Sequence, residues 1–129
     1  MITETKTRRV EPGITIFEIS GRLNLGNALL SVENSIKRMI DEGARKLILD
    51  LTTLNAIDSS GIGLLVTSAS HMEQCGGQVR VAGANGTVGK VLQLAHLDRI
   101  APLDPDVESA CRHLTAGLDY DSRPQSSNL

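Results

Sequence analysis

The apolar positions of the chain follow two rhythms, and the change from one to the other marks its elements. Gly13-Ile14-Thr15-Ile16-Phe17-Glu18-Ile19-Ser20-Gly21 alternates apolar and polar residues between glycines, which predicts a half-buried strand. Pro12-Gly13 before it signals a turn, so Thr5 to Glu11 is expected to pair with it antiparallel as a hairpin. From Gly26 to Glu42 the period lengthens. Leu29, Val32, Ile36, Met39 and Ile40 recur at three- and four-residue spacing, the mark of an amphipathic helix, and Gly43 follows as its cap.

Lys46-Leu47-Ile48-Leu49-Asp50-Leu51 is almost wholly apolar between two helical segments and reads as a central parallel strand covered on both faces. A second helix is expected over Gly61 to Gln74, through Ile62, Leu65, Val66, Ala69 and Met72, with Gly76-Gly77 ending it. Gln78 to Ala82 is a third parallel strand, Thr87 to Leu97 a third helix, and Asp98 to Ala101 a short strand. Asp104-Pro105-Asp106 then opens a final helix through Val107, Ala110, Cys111 and Leu114, with Asp104 as the capping aspartate. Strands alternating with helices imply an α/β fold: a mostly parallel sheet with an N-terminal antiparallel edge hairpin, alternating with four helices. Residues 1–118 are expected to form one domain, and the polar 119–129 a disordered tail.

Composition narrows the function. Apolar residues make up 40% of the 129, enough for a packed core. One Phe, one Tyr and no Trp leave no platform for stacking nucleic-acid bases. The net charge of -2, with no long basic block, argues against direct nucleic-acid binding. Lys6, Arg8 and Arg9, the densest basic cluster, read as solvated charges that keep an edge strand from pairing with others. Cys75 and Cys111 lack a C-x-x-C partner and read as reduced and inert. The polar N-terminus is no signal peptide, and no apolar run approaches the ~20 residues that span a bilayer. A cytoplasmic protein with no membrane insertion is expected.

The informative segment is Ile57-Asp58-Ser59-Ser60-Gly61-Ile62-Gly63-Leu64-Leu65, between a strand and the helix after it. Functional loops of parallel sheets sit at this end of the strands. The same residues have a plain structural use. Asp and Ser cap helices, and Gly61 and Gly63 would let the helix lie close to the sheet. They equally suit a phosphorylation switch. A serine at a helix N-terminus is open to a kinase, and a phosphate there gains from the helix dipole and free N–H groups. It also adds roughly -1.5 to -2 charge beside Asp58, which would repel a partner shaped for a neutral hydroxyl.

Other chemistries fit less well. Ala84-Asn85-Gly86-Thr87-Val88-Gly89-Lys90-Val91 lacks the first glycine and the final hydroxyl of a P-loop. No glycine stands two residues before Ser59 or Ser60, as a serine-hydrolase elbow requires, and His71, His96 and His113 fall inside predicted helices. Nor do the histidines and cysteines follow metal spacing, and no cofactor is expected.

These residues resemble the STAS domain family, most closely the bacterial anti-sigma factor antagonists. The likeness runs from about Val10 to Leu114 and includes Leu47 to Leu51, Gly76-Gly77, Gly21-Arg22-Leu23-Asn24 and Val88 to Ile100. It implies that Ser59 is phosphorylated by a serine kinase that is itself an anti-sigma factor. The unphosphorylated protein would bind that kinase, and a PP2C-type phosphatase would reset the switch. By the same resemblance Asp58 presents Ser59, Ser60 caps the helix, and Gly61, Ile62, Arg22, Asn24 and Asn85 belong to the docking face. The acidic residue common in the family's Gly-x-Leu-Asp turn is absent, and the Arg22 and Asn24 found there bear on partner choice. The alternatives are a STAS subunit of a lipid-transport or other signalling complex that is not phosphorylated, and a serine hydrolase using Ser59.

Overall fold

The computed structural model describes residues 2–122, with side chains described as far as Thr115. The chain opens as the expected hairpin, β1 (Glu4–Val10) antiparallel to β2 (Ile14–Leu23). It continues as α1 (Asn27–Asp41), β3 (Lys46–Asp50), β4 (Leu54–Ile57), α2 (Ser59–Gln74), β5 (Gln78–Ala82), α3 (Gly86–Leu94), a 3-10 turn at Leu97–Arg99, β6 (Leu103–Asp104) and α4 (Val107–Ser122). The sheet runs β1-β2-β3-β5-β6, with β4 beside the far end of β2. All pairings except β1 with β2 are parallel. Among the described residues no helix is long and apolar enough to cross a membrane.

Three helices cover one face and one covers the other. Val32, Ile36 and Ile40 of α1, Leu64, Leu65, Ala69 and Met72 of α2, and Val88 and Leu92 of α3 pack on Phe17, Ile19, Leu47, Leu49, Val79 and Val81. Ala110 and Leu114 of α4 pack on Ile14, Ile16, Ile48 and Ala82 behind them. The run Leu47-Ile48-Leu49 is therefore buried on both sides, as its unbroken apolar character required. β2 is corrected from half-buried. Ile14 and Ile16 enter the α4 side while Phe17 and Ile19 enter the other, and all four are at most 1% exposed. The edge strand β1 carries Lys6, Arg8 and Arg9 into solvent as expected.

Two further elements differ from the pattern. β4 was not expected. It forms because β2 is ten residues long and outruns β3; beyond an irregularity at Gly21, Arg22 and Leu23 pair with Ala56 and Ile57 instead. Asp98 to Ala101 is not a strand. His96 takes a left-handed conformation (φ 57°), and the N–H groups of Arg99 and Ile100 donate to His96 and Leu97 three residues back. The sixth strand lies later, where Leu103 and Asp104 pair with Val81 and Ala82.

Asp104 therefore ends a strand and does not cap α4. The cap is Asp106, whose Oδ1 accepts from the Ser109 N–H at 2.7 Å. The expected domain limit at residue 118 falls within α4, and 123–129 lie outside the described residues.

Candidate functional site

The carboxyl ends of β2 and β4 lie side by side, and α2 starts where they meet. Asp58 is the hinge of this junction. Its backbone is extended (φ -113°, ψ -176°), and its Oδ1 accepts from the Gly61 N–H at 3.0 Å, capping α2. Its Oδ2 accepts from the Leu25 N–H at 3.0 Å, across to the loop between β2 and α1. One carboxylate thus joins the helix start to a loop 33 residues earlier in the chain. Those N–H bonds, from Leu25 first and Gly61 second, hold the Asp58 carboxyl below its ordinary range. Asp58 is anionic at neutral pH.

Ser59 is the first residue of α2 and is exposed. Ser60 is half-buried and is not the cap that the resemblance implied: it is already the second residue of the helix, and Asp58, the extended residue before the first, takes the cap position and reaches the third N–H. Gly61 is fully required. A Cβ there would lie 2.2 Å from the Leu23 carbonyl oxygen and 2.7 Å from Ile57 Cγ1. This lets α2 press directly on the end of β2. Gly63, expected to serve the same end, does not: a Cβ built on it meets no heavy atom within 4 Å. Ile62 packs partly against the main core.

Arg22 is exposed at the end of β2, beside Ala56 of β4. Asn24 follows, half-buried, one residue before Leu25. Asn85 sits on the neighbouring loop. Its amide donates to the carbonyls of Gly83 (2.8 Å) and Thr52 (3.2 Å), so it ties the turn before β4 to the turn before α3. That tie needs Gly83, which has φ 77° and would meet Thr52 Oγ1 at once if it carried a Cβ. Asp58, Ser59, Ser60, Gly61 and Ile62 are thus gathered at one point, Arg22 and Asn24 border it, and Asn85 braces the turn leading into β4.

Pattern reasoning missed Leu25. It is 77% exposed, with its N–H held by Asp58, the residue before Ser59. A signal was present: Leu25 stands outside the apolar period that begins at Leu29, within an uncharged stretch from Leu23 to Val32. Asp58→Ala would release both the helix start and this loop. Its expected result is a melting temperature lower by about 3 to 5 °C, as for a lost N-cap in a domain of this size. The Leu25 amide should also exchange faster in hydrogen-exchange measurements.

Among the described residues no histidine is hydrogen-bonded to Ser59, the pairing a serine nucleophile uses. His71 is twelve residues further along α2, about 18 Å away at helical rise. His113 contacts Asp104 at 2.7 Å from α4, on the other face of the sheet. His96 is outside α3, which ends at Leu94. Among the described residues no three His, Cys, Asp or Glu side chains are grouped to hold a metal ion.

Comparison with known proteins agrees with this layout. The family model for the STAS domain matches residues 5–110. A Thermotoga maritima protein named as a candidate anti-sigma factor antagonist is 26% identical over 102 residues, covering 79% of this chain and 90% of its own. Its crystal structure superposes with a TM-score of 0.78 at 25% identity, covering 86% of this chain and 94% of that one. The anti-sigma F factor antagonist of Paenibacillus polymyxa is 26% identical over 96 residues, covering 70% of this chain and 78% of its own. The Bacillus cell fate determinant SpoIIAA, in its phosphorylated form, shares the fold with a TM-score of 0.68 at 23% identity, covering 86% of this chain and 99% of that one.

Proposed function

Because this chain belongs to the STAS domain family, we propose that it is an anti-sigma factor antagonist switched by phosphorylation of Ser59. Unphosphorylated, it binds an anti-sigma factor that is itself a serine kinase. That kinase phosphorylates Ser59 and lets go, and a PP2C-type phosphatase restores the free hydroxyl. The switch works in the cytoplasm.

The observation that carries this reading is the exposed hydroxyl of Ser59 on the first residue of α2, next to a carboxylate already fixed in its ionised form. A phosphate on Ser59 is tolerated within the molecule, because it lies at the positive end of a helix. It is not tolerated by a partner fitted to the neutral surface. The added charge of roughly -1.5 to -2 beside Asp58 means repulsion or uncompensated desolvation at the interface. Each ~1.4 kcal/mol of either lowers affinity tenfold. The fold need not rearrange. Ser60, half-buried, is less open to a kinase than Ser59.

The test is the intact mass of the protein from its own cells, before and after phosphatase, followed by site mapping. One phosphatase-sensitive phosphate on Ser59, missing from Ser59→Ala, is the expected result. No phosphate under any growth condition would replace this reading with a constitutive binding subunit of the same fold.

A further inference from the structure

The two glycines at the start of α2 are in opposite situations. Gly61 has no room for a side chain, whereas a Cβ on Gly63 would meet no heavy atom within 4 Å. Gly63 is also not among the glycines with positive φ, so its backbone is open to any L-residue. Neither space nor conformation inside the molecule calls for glycine there. Its presence is unfavourable, since an exposed helical glycine orders a freer chain and leaves the backbone unshielded. Alanine would hold α2 better at no internal cost.

The position explains what the fold does not. Gly63 is four residues after Ser59, one turn along the same helix face, and both are exposed. No ionisable side chain occurs from Ser59 to Ser70 or from Leu23 to Val32. Leu25 and Leu30, in the second of these stretches, are 77% and 57% exposed.

We infer that Gly63 sets the contact distance between α2 and the anti-sigma factor kinase: its missing side chain lets the partner's surface close on the helix so that Ser59 reaches the reacting phosphate. The inference rests on the switch proposed above. In that reaction Ser59 Oγ bonds to the γ-phosphorus of ATP, the bond to the ADP oxygen breaks, ADP leaves, and the hydroxyl proton passes to a base of the kinase. Transfer requires oxygen and phosphorus to approach within about 3–3.5 Å. Even a methyl one turn away would hold the surfaces apart by more than the ~1 Å of misplacement that can cost about 10²-fold in rate.

The experiment pairs thermal melting with phosphorylation kinetics. Wild type, Gly63→Ala and Gly63→Leu are melted alone, then phosphorylated with ATP by each purified anti-sigma factor serine kinase of the source organism. Both variants should melt above wild type while kcat/KM for Ser59 falls at least tenfold in Gly63→Ala and further in Gly63→Leu. Two results overturn the inference and leave the switch standing: phosphorylation of Gly63→Ala at the wild-type rate, or a lowered melting temperature, which would reveal an internal role. If no kinase phosphorylates the wild type, the switch fails and the inference with it.

Discussion

Asp104→Ala is expected to lower the unfolding free energy by about 3 kcal/mol, the usual consequence of removing one partner of a buried ion pair. The Asp104 side chain is 1% exposed. It accepts from Arg80 Nε at 2.7 Å and from a terminal guanidinium nitrogen at 3.2 Å, a two-pronged pair. His113 Nδ1 lies 2.7 Å from Oδ1; the ionised carboxylate can only accept, which places the proton of that contact on the ring nitrogen. Truncation would leave Arg80, largely covered by the fold, without its counter-charge and would loosen α4 from β5 and β6. Asp104→Asn should fall between the two, keeping the volume and losing the charge. Urea unfolding at neutral pH measures both.

The same carboxylate gives the stability a pH dependence. Burial alone would raise the pKa of Asp104, but the bonds and charges of Arg80 and His113 outweigh it and hold the group below its ordinary range. A depressed folded-state pKa means that the folded protein binds the proton less readily than the unfolded chain. The stabilisation is then complete above the unfolded carboxylate pKa of about 3.9 and is lost as pH falls towards the depressed value. Wild type should therefore lose stability on acidification through that window faster than Asp104→Asn.

Gly61→Ala carries the second large effect. The new methyl would sit 2.2 Å from a backbone oxygen of β2, which has no rotamer to escape into. The helix must move off the strand, and overpacking of this kind costs about 3 kcal/mol. The movement displaces the N-terminus of α2, so Ser59 phosphorylation should slow even in the folded fraction. Circular dichroism melting and a kinase assay on the same samples separate the two effects. The contrast with Gly63→Ala, expected to melt higher, makes two glycines of one helix turn mutate in opposite directions.

Most of the architecture was legible because its signals are local. The apolar run of β3, the periodic stripe of α1 and the Pro12-Gly13 turn each announce one element within a few residues. The capping motif around Ser59 is equally compact. What escaped depends on partners distant in sequence. Leu-Asn-Ala-Ile has little strand preference of its own and becomes β4 only because the overhanging end of β2 lies beside it. Asp104-Pro105 carries a helix-start signal, but Arg80, 24 residues away, claims the aspartate for a strand end. The Asp58 contact that holds Leu25 crosses 33 residues, so sequence spacing gave no hint of it. Gly61 and Gly63 look alike in the chain and are told apart only by what lies beneath them.

The start of β1 lies at the same end of the molecule as Ser59, since Glu4 pairs with Ser20 near the carboxyl end of β2. The Ile2 carbonyl occupies the space a Cβ on Gly21 would fill, and the Thr3 hydroxyl donates to the Arg22 carbonyl at 2.6 Å. An affinity handle or fluorescent fusion attached just before Ile2 would therefore emerge beside Arg22 and crowd the face proposed to meet the kinase. Binding studies call for a handle at the opposite terminus, or for none.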